Sequence, residues 1–208
     1  MKIQLALDRM TLSEAKSIVE EVHDYIDIIE VGTSLIKDYG KKSIQFIRSE
    51  FKDKVILADI KTCDEGEYEF KAAYEAGADI ATVMGNSPIE TIKICYEVSK
   101  KYKKHIMIDL METDDSKIET IKTYEDAILF VHLPKDSENK SLIDMFQSKK
   151  QLYKDINRLA VGGGINKKII ADIEVINPEI VVVGSLITKS KNAAYTAKRI
   201  CEKLQSGR

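Results

Sequence analysis

Several absences narrow the reading of this 208-residue chain before any motif does. Cysteine is scarce: Cys63, Cys95 and Cys201 are odd in number, far apart and without a CxxC pair. That excludes a disulfide framework and a zinc knuckle, and leaves three reduced thiols in an expected cytoplasmic protein. No apolar run approaches the length of a membrane span. The opening Met1-Lys2-Ile3-Gln4-Leu5-Ala6-Leu7-Asp8 is too short for a signal peptide and ends in an acid. Charge of one sign is lacking too. The formal net charge is -2, with lysines and acids dispersed, so no basic block offers a nucleic-acid surface and any anion site must be local. Neither GxxxxGK nor GxGxxG occurs, which removes the common nucleotide fingerprints. No Pro-rich, low-complexity or linker stretch divides the chain, so it reads as a single domain, residues 1–208.

What is present is one repeated pattern: a short β-rich run, a polar junction, then a helical stretch. Strands are expected at Ile3–Leu7, Ile26–Val31, Val55–Ile60, Ile80–Val83, Ile106–Leu110, Ala127–Val131, Arg158–Val161 and Ile180–Val183. Each is rich in Ile, Val and Leu, as parallel strands buried on both faces require. Helices are expected at Leu12–His23 after a Thr11 cap, Leu35–Phe51, Glu65–Ala76 ending at Gly77, and Pro88–Tyr102. Asp115–Tyr124, Ser141–Tyr153, Lys167–Ile176 and Asn192–Leu204 follow, with Asp136–Lys140 the most polar loop. Eight strands alternating with eight helices predict right-handed βαβ units closed into a (β/α)₈ TIM barrel.

In such a barrel chemistry gathers where strands end. Those positions hold Asp8, Glu30, Asp59 with Lys61, Gly85-Asn86, Asp109, His132, Gly162-Gly163-Gly164 and Gly184-Ser185. A lone acid after a strand, such as Asp8 or Asp109, is as readily a helix cap. Glu30 and Asp59 are different, because each projects from the end of a buried strand and a buried carboxylate needs a cation. Together they could hold Mg²⁺ through hard oxygens. Lys61 lies two residues past Asp59, so on an extended chain both side chains point the same way, and the lysine stays charged beside carboxylates. A structural salt bridge is the plainer alternative. His132 is placed for proton transfer, whereas His23 on a helix and His105 at a strand start read as structural. The glycine clusters after strands seven and eight sit where barrels bind phosphate through backbone N–H groups; tight turns are the plainer alternative.

At this point the residues resemble a known family. Gln4-Leu5-Ala6-Leu7-Asp8, Ile29-Glu30-Val31-Gly32-Thr33, Ala58-Asp59-Ile60-Lys61-Thr62-Cys63-Asp64 and Glu75-Ala76-Gly77-Ala78-Asp79 are similar to 3-hexulose-6-phosphate synthase and its sister, 3-keto-L-gulonate-6-phosphate decarboxylase. Both belong to the orotidine-5′-phosphate decarboxylase suprafamily, whose mark is Asp-x-Lys-x-x-Asp after strand three. The resemblance implies that Glu30 and Asp59 ligate Mg²⁺ on the oxygens of an enediolate, with Lys61 beside it. It implies that Asp64 reaches the partner's site in a homodimer, with active sites at the interface. Asp8 would hold substrate hydroxyls or position Lys61, Asp109 and His132 match the family acid and histidine after strands five and six, and Gly163, Gly164, Gly184 and Ser185 would bind the phosphate.

The flanks lean toward the synthase, which joins formaldehyde to D-ribulose 5-phosphate. Lys61-Thr62-Cys63-Asp64-Glu65-Gly66-Glu67 resembles its Lys-Thr-Met-Asp-Ala-Gly-Glu run, and Val83-Met84-Gly85 with Thr91-Ile92 also fits it. Lys135 and Ser185 stand where the decarboxylase typically carries arginines. The chain departs from the synthase in Leu133-Pro134-Lys135, which lacks the usual glycine after the histidine, and at Gly162, Cys63 and Glu65. A decarboxylase, or a sugar-phosphate-binding barrel without catalysis, are the alternatives.

Overall fold

A computed structural model describes residues 1–137 and 141–205. Eight parallel strands close into a barrel in simple sequence order: β1 Lys2–Leu7, β2 Ile28–Val31, β3 Val55–Thr62, β4 Ile80–Met84, β5 His105–Asp109, β6 Ile128–His132, β7 Leu159–Gly162 and β8 Ile180–Val183. The ring is completed where Lys2–Leu5 pairs with Ile180–Val183. The expected (β/α)₈ barrel is therefore what the chain forms. No helix among the described residues is long and apolar enough to cross a membrane.

The alternation of each strand explains its composition. One parity fills the barrel with Ile28, Leu57, Ile80, Met107, Ile128, Phe130, Ala160, Ile180 and Val182. The other parity, including Leu5, Ile29, Ile56, Ala81, Ile108 and Val181, packs outward against the helices. Both faces are dry, so the strands carry no polar face except where a side chain has work inside. Gly162 is one such size adjustment: a Cβ there would stand 2.9 Å from the Phe130 ring.

The helices are α1 Leu12–Val22, α2 Thr33–Tyr39, α3 Lys41–Glu50, α4 Gly66–Glu75, α5 Ile89–Tyr102, α6 Asp115–Ile121, α7 Leu142–Ser148, α8 Lys150–Tyr153, α9 Lys167–Asp172, α10 Ser185–Thr188 and α11 Ala193–Gln205. Thr11 caps α1 in a reciprocal box with Glu14, and Ala15, Val19 and Val22 face the core. The single helix expected over Leu35–Phe51 is broken. Gly40 takes φ 61° and ψ -155°, a conformation open to glycine, so the chain turns between α2 and α3. Ser141–Tyr153 is likewise split, at Lys149, and Lys167–Ile176 tightens into a 3₁₀ turn after Asp172. The short α10 directly after β8 has no counterpart in the sequence reading. Of the expected polar loop, Glu138–Lys140 lie outside the described residues.

The N-terminal end of the barrel is held by ion pairs. Arg48 pairs with Asp79 and donates to the carbonyls of Phe51, Lys54 and Gly77. Arg158 pairs with Glu179 at 3.0 Å, and that bond with the one from Lys2 holds the Glu179 carboxyl down at about 2. His105 opens β5 beside Arg158, and His23 meets Asp53 at 3.0 Å.

Candidate active site

The opposite end of the barrel collects the acids, the lysine and the histidine. Asp59, on β3, is the centre. Its Oδ2 accepts from Thr33 Oγ1 at 2.7 Å, and its Oδ1 from Thr82 Oγ1 at 2.9 Å and Lys61 Nζ at 3.2 Å. The Lys61 ammonium lies also 3.2 Å from Asp109 Oδ2. Burial works against its charge, but Asp59 and Asp109 outweigh that and raise the amine above its ordinary value. Lys61 is therefore a fixed cation.

Asp59 and Lys61 do meet, but not by the extended-chain alternation expected. Between Ala58, opposite Ala81, and Thr62, opposite Val83, four steps on β3 face two on β4. This irregularity puts Lys61 in the left-handed region, at φ 49°. Irregular strand ends of this kind re-aim side chains beside active sites. Here the lysine folds back over the carboxylate two residues before it.

Asp109 ends β5 and is fully buried. Its Oδ1 accepts from the Met111 N–H at 3.0 Å, and its Oδ2 faces both Lys61 and His132 Nδ1, the latter at 2.8 Å. Burial alone would raise its pKa. The His132 hydrogen bond and charge, with Lys61, reverse this and hold the carboxyl below its ordinary value. His132 stacks on Phe130, ring centroids 4.7 Å apart and planes 19° from parallel. An ionised Asp109 accepts only, so the Nδ1 it faces carries the proton. Nε2 is left as the ring atom available to substrate.

Glu30, on β2, is also buried, with its Oε2 2.6 Å from Gln4 Nε2. Desolvation first, and then the Asp59 charge, push its carboxyl up to about 8. A carboxyl pushed up in this way beside a second buried acid fits a hard divalent cation, which would remove the penalty on the ionised Glu30. Among the described residues no cluster of three or more acids, histidines or cysteines forms a fuller ligand set. Mg²⁺ needs no more, because it keeps several waters and is commonly held by one or two carboxylates.

Asp8 is placed differently from one of its expected roles. It accepts from Ser34 N at 3.3 Å and Ser34 Oγ at 2.8 Å, and Lys61 is held by Asp59 and Asp109 instead. Asp8 stays within electrostatic reach of Glu30. Asp64 is exposed, and its Oδ1 accepts from the following Glu65 N–H at 2.8 Å. Gly163 and Gly164 have φ 88° and 64°, and a Cβ on Gly163 would fall 2.0 Å from the Leu133 carbonyl oxygen. Gly184 precedes α10, whose first residue is Ser185. The two glycine turns, after β7 and β8, thus lie on neighbouring strands at the same end of the barrel.

Gln4, Thr33 and Thr82 escaped sequence reasoning. For two of them the signal was parity: Gln4 and Thr82 are buried polar residues at inward strand positions, 1% and 2% exposed.

Comparison with known proteins agrees with the fold. The family model described as "Orotidine 5'-phosphate decarboxylase / HUMPS family" matches residues 1–200. The chain is 34% identical to 3-hexulose-6-phosphate synthase of Bacillus subtilis, over 100% of both chains. The crystal structure of 3-hexulose-6-phosphate synthase from Salmonella typhimurium superposes with a TM-score of 0.94 at 32% identity, over 100% of both chains. That of 3-keto-L-gulonate-6-phosphate decarboxylase from Vibrio cholerae gives 0.87 at 27% identity, over 99% of this chain and 97% of that one. The chain is a lyase belonging to the orotidine 5′-phosphate decarboxylase / HUMPS family.

Proposed function

We propose that the protein catalyses the Mg²⁺-dependent aldol condensation of formaldehyde with D-ribulose 5-phosphate, giving D-arabino-hex-3-ulose 6-phosphate. One observation carries the reading. Lys61 is clamped between Asp59 and Asp109, and Asp109 in turn orients His132, all beside the Glu30–Asp59 pair. A fixed cation and an aimed imidazole are the groups needed to take a proton from carbon beside a carbonyl and to neutralise the charge that results. When bound by Glu30 and Asp59, Mg²⁺ supplies Lewis-acid polarisation of the substrate oxygens.

The residues divide the remaining work. His132, with Nδ1 committed to Asp109, presents Nε2 to the proton at substrate C1. Of the two rivals for that proton, Lys61 and the partner's Asp64, Lys61 is the weaker because it is already held as a cation. Lys61 stays protonated and donates to the negative charge that develops when the proton leaves. Formaldehyde then reacts as electrophile at C1: the new C–C bond forms as its carbonyl π bond opens, and the resulting alkoxide takes the proton held by His132. Asp8 is available to substrate hydroxyls, and the backbone of Gly163, Gly164, Gly184 and Ser185 is assigned to the phosphate. Asp64 is assigned to the partner's site in a homodimer. Its exposure supports that reading, as does the groove it lines with Tyr68 and Ile94, which are both exposed.

Decarboxylation of 3-keto-L-gulonate 6-phosphate is the second reading, favoured by the likeness to solved decarboxylase structures such as that from Vibrio cholerae. Purified protein with Mg²⁺ decides between them. Formaldehyde consumption in the presence of D-ribulose 5-phosphate, faster than CO₂ release from the keto-gulonate phosphate, is the expected result. No consumption of formaldehyde would overturn the proposal.

A further inference from the structure

We propose that Thr82 is a positioning residue for Lys61, locking the lysine to Asp59 through a single hydroxyl. The irregularity in β3 takes the Lys61 N–H away from a regular ladder. Thr82 Oγ1, reaching over from β4, accepts that N–H at 2.9 Å. The same oxygen lies 2.9 Å from Asp59 Oδ1. The polarity of the chain of bonds is fixed at both ends. An amide N–H can only donate, and an ionised carboxylate can only accept, so the hydroxyl proton points to Asp59. The Lys61 ammonium returns to the same carboxylate, 3.2 Å from Oδ1 and 3.1 Å from Oδ2. A closed ring results: Lys61 backbone to Thr82, Thr82 to Asp59, Asp59 back to the Lys61 ammonium.

The ring answers a problem particular to this site. A lysine at φ 49° is held in a region that L-residues rarely occupy, and something must over-determine it there. Thr82 is buried, with its methyl group suited to a strand interior and its hydroxyl bonded to the Lys61 N–H and Asp59. Thr33 braces the other oxygen of Asp59 at 2.7 Å, so Asp59 cannot rotate to release the ring. Thr82 touches no reacting atom. It acts through the placement of Lys61, and to that extent the inference rests on the assignment of Lys61 to the developing charge.

Three variants and two readouts test this. Thr82→Val keeps the shape and removes the hydroxyl. Thr82→Ala and Thr82→Ser share the loss of the methyl group and differ only in the hydroxyl, which keeps the test open if Thr82→Val folds poorly. The first readout is independent of the reaction: the rate of Lys61 acetylation by acetic anhydride, followed by peptide mass spectrometry against the other lysines. Thr82→Val and Thr82→Ala are expected to label Lys61 about threefold to tenfold faster, as the hold on its side chain loosens by about one hydrogen bond, with Thr82→Ser near the parent. The second readout is the aldol reaction, in which Val and Ala lower kcat on the order of 10- to 100-fold with little change in KM, and Ser restores most of it. Unchanged Lys61 labelling in Val and Ala overturns the positioning role. Faster labelling with unchanged kcat overturns the claim that the placement serves the reaction. If the parent itself does not consume formaldehyde, the assigned reaction fails, and the labelling result still decides the role of Thr82.

Discussion

His132 Nδ1 lies 2.8 Å from Asp109 Oδ2, joining the ends of neighbouring strands β5 and β6 across 23 residues of sequence. The same carboxylate oxygen takes the Lys61 ammonium at 3.2 Å. Asp109 is thus the junction through which an imidazole and an ammonium are kept at one spacing. It also separates the two roles: the imidazole is oriented by a bond to one nitrogen, and the ammonium is held by charge on either side.

Asp109→Asn is expected to lower kcat by at least about 100-fold, because the amide neither holds His132 in one tautomer nor balances Lys61. Loss of the buried charge should cost roughly 2–4 kcal/mol in urea unfolding. The parent's acid limb follows from the same group. Its folded pKa lies below the unfolded value of about 3.9, so its contribution is complete above that value and is lost as pH falls through the lower folded one. Urea midpoints measured as the pH is lowered below about 4 should fall more steeply in the parent than in Asp109→Asn. Equal slopes would show that Asp109 is not held down.

Glu30 has the opposite sign. In metal-free protein its carboxyl titrates at about 8, above the unfolded value of about 4.3. The folded state then binds the extra proton, so stability from this group falls as pH rises from about 4.3 towards 8. Mg²⁺ should stabilise the protein increasingly across that window, with proton release on binding. Glu30→Gln should abolish both the Mg²⁺-induced rise in Tm and its pH dependence.

Gln4 donates to Glu30 at 2.6 Å, while its own Oε1 has no partner among the described residues. Removing the donor with Gln4→Leu should weaken Mg²⁺ binding by about 10- to 100-fold, read by titration calorimetry. Stability should fall by about 1–3 kcal/mol, since the buried Glu30 carboxyl loses its donor, offset in part by removal of the unsatisfied Gln4 oxygen. Unaltered Mg²⁺ affinity would count against Gln4 as the orienter of Glu30.

The assignment of Asp64 to a partner's site has a test by complementation. Lys61→Ala and Asp64→Asn should each be nearly inactive. Mixed at equal amounts and allowed to exchange subunits, they should recover about a quarter of the parent's activity, because half the dimers are mixed and each has one complete site. No recovery, in a sample shown to have exchanged, would place Asp64 in its own subunit's chemistry or outside it.

Gly163 is expected to tolerate no side chain. Its φ is 88°, and a Cβ would meet the Leu133 carbonyl at 2.0 Å. Gly163→Ala should displace the loops after β6 and β7 together and raise KM for the sugar phosphate, with the change in kcat the smaller of the two.

The sequence by itself determined the barrel. Eight runs such as Ile180–Val183, apolar on both parities, suit strands buried in a parallel sheet, and eight alternating helical stretches favour its closure into a barrel over an open doubly wound sheet. It also determined which residues stand at strand ends, since Glu30, Asp59, Asp109 and His132 are placed by local periodicity alone. Tertiary structure decided what those residues touch. The bond from His132 to Asp109 and the Thr82 bridge depend on the register between strands, which no single strand encodes. The left-handed turn at Lys61 arises from a mismatch between β3 and β4, invisible to a pattern read along one chain. Helix breaks at Gly40 and Lys149 were decided the same way, by where the chain had to turn to cover a closed sheet. Periodicity is local and survives in the sequence. Hydrogen-bond partners are fixed only when the barrel closes and brings distant strands side by side.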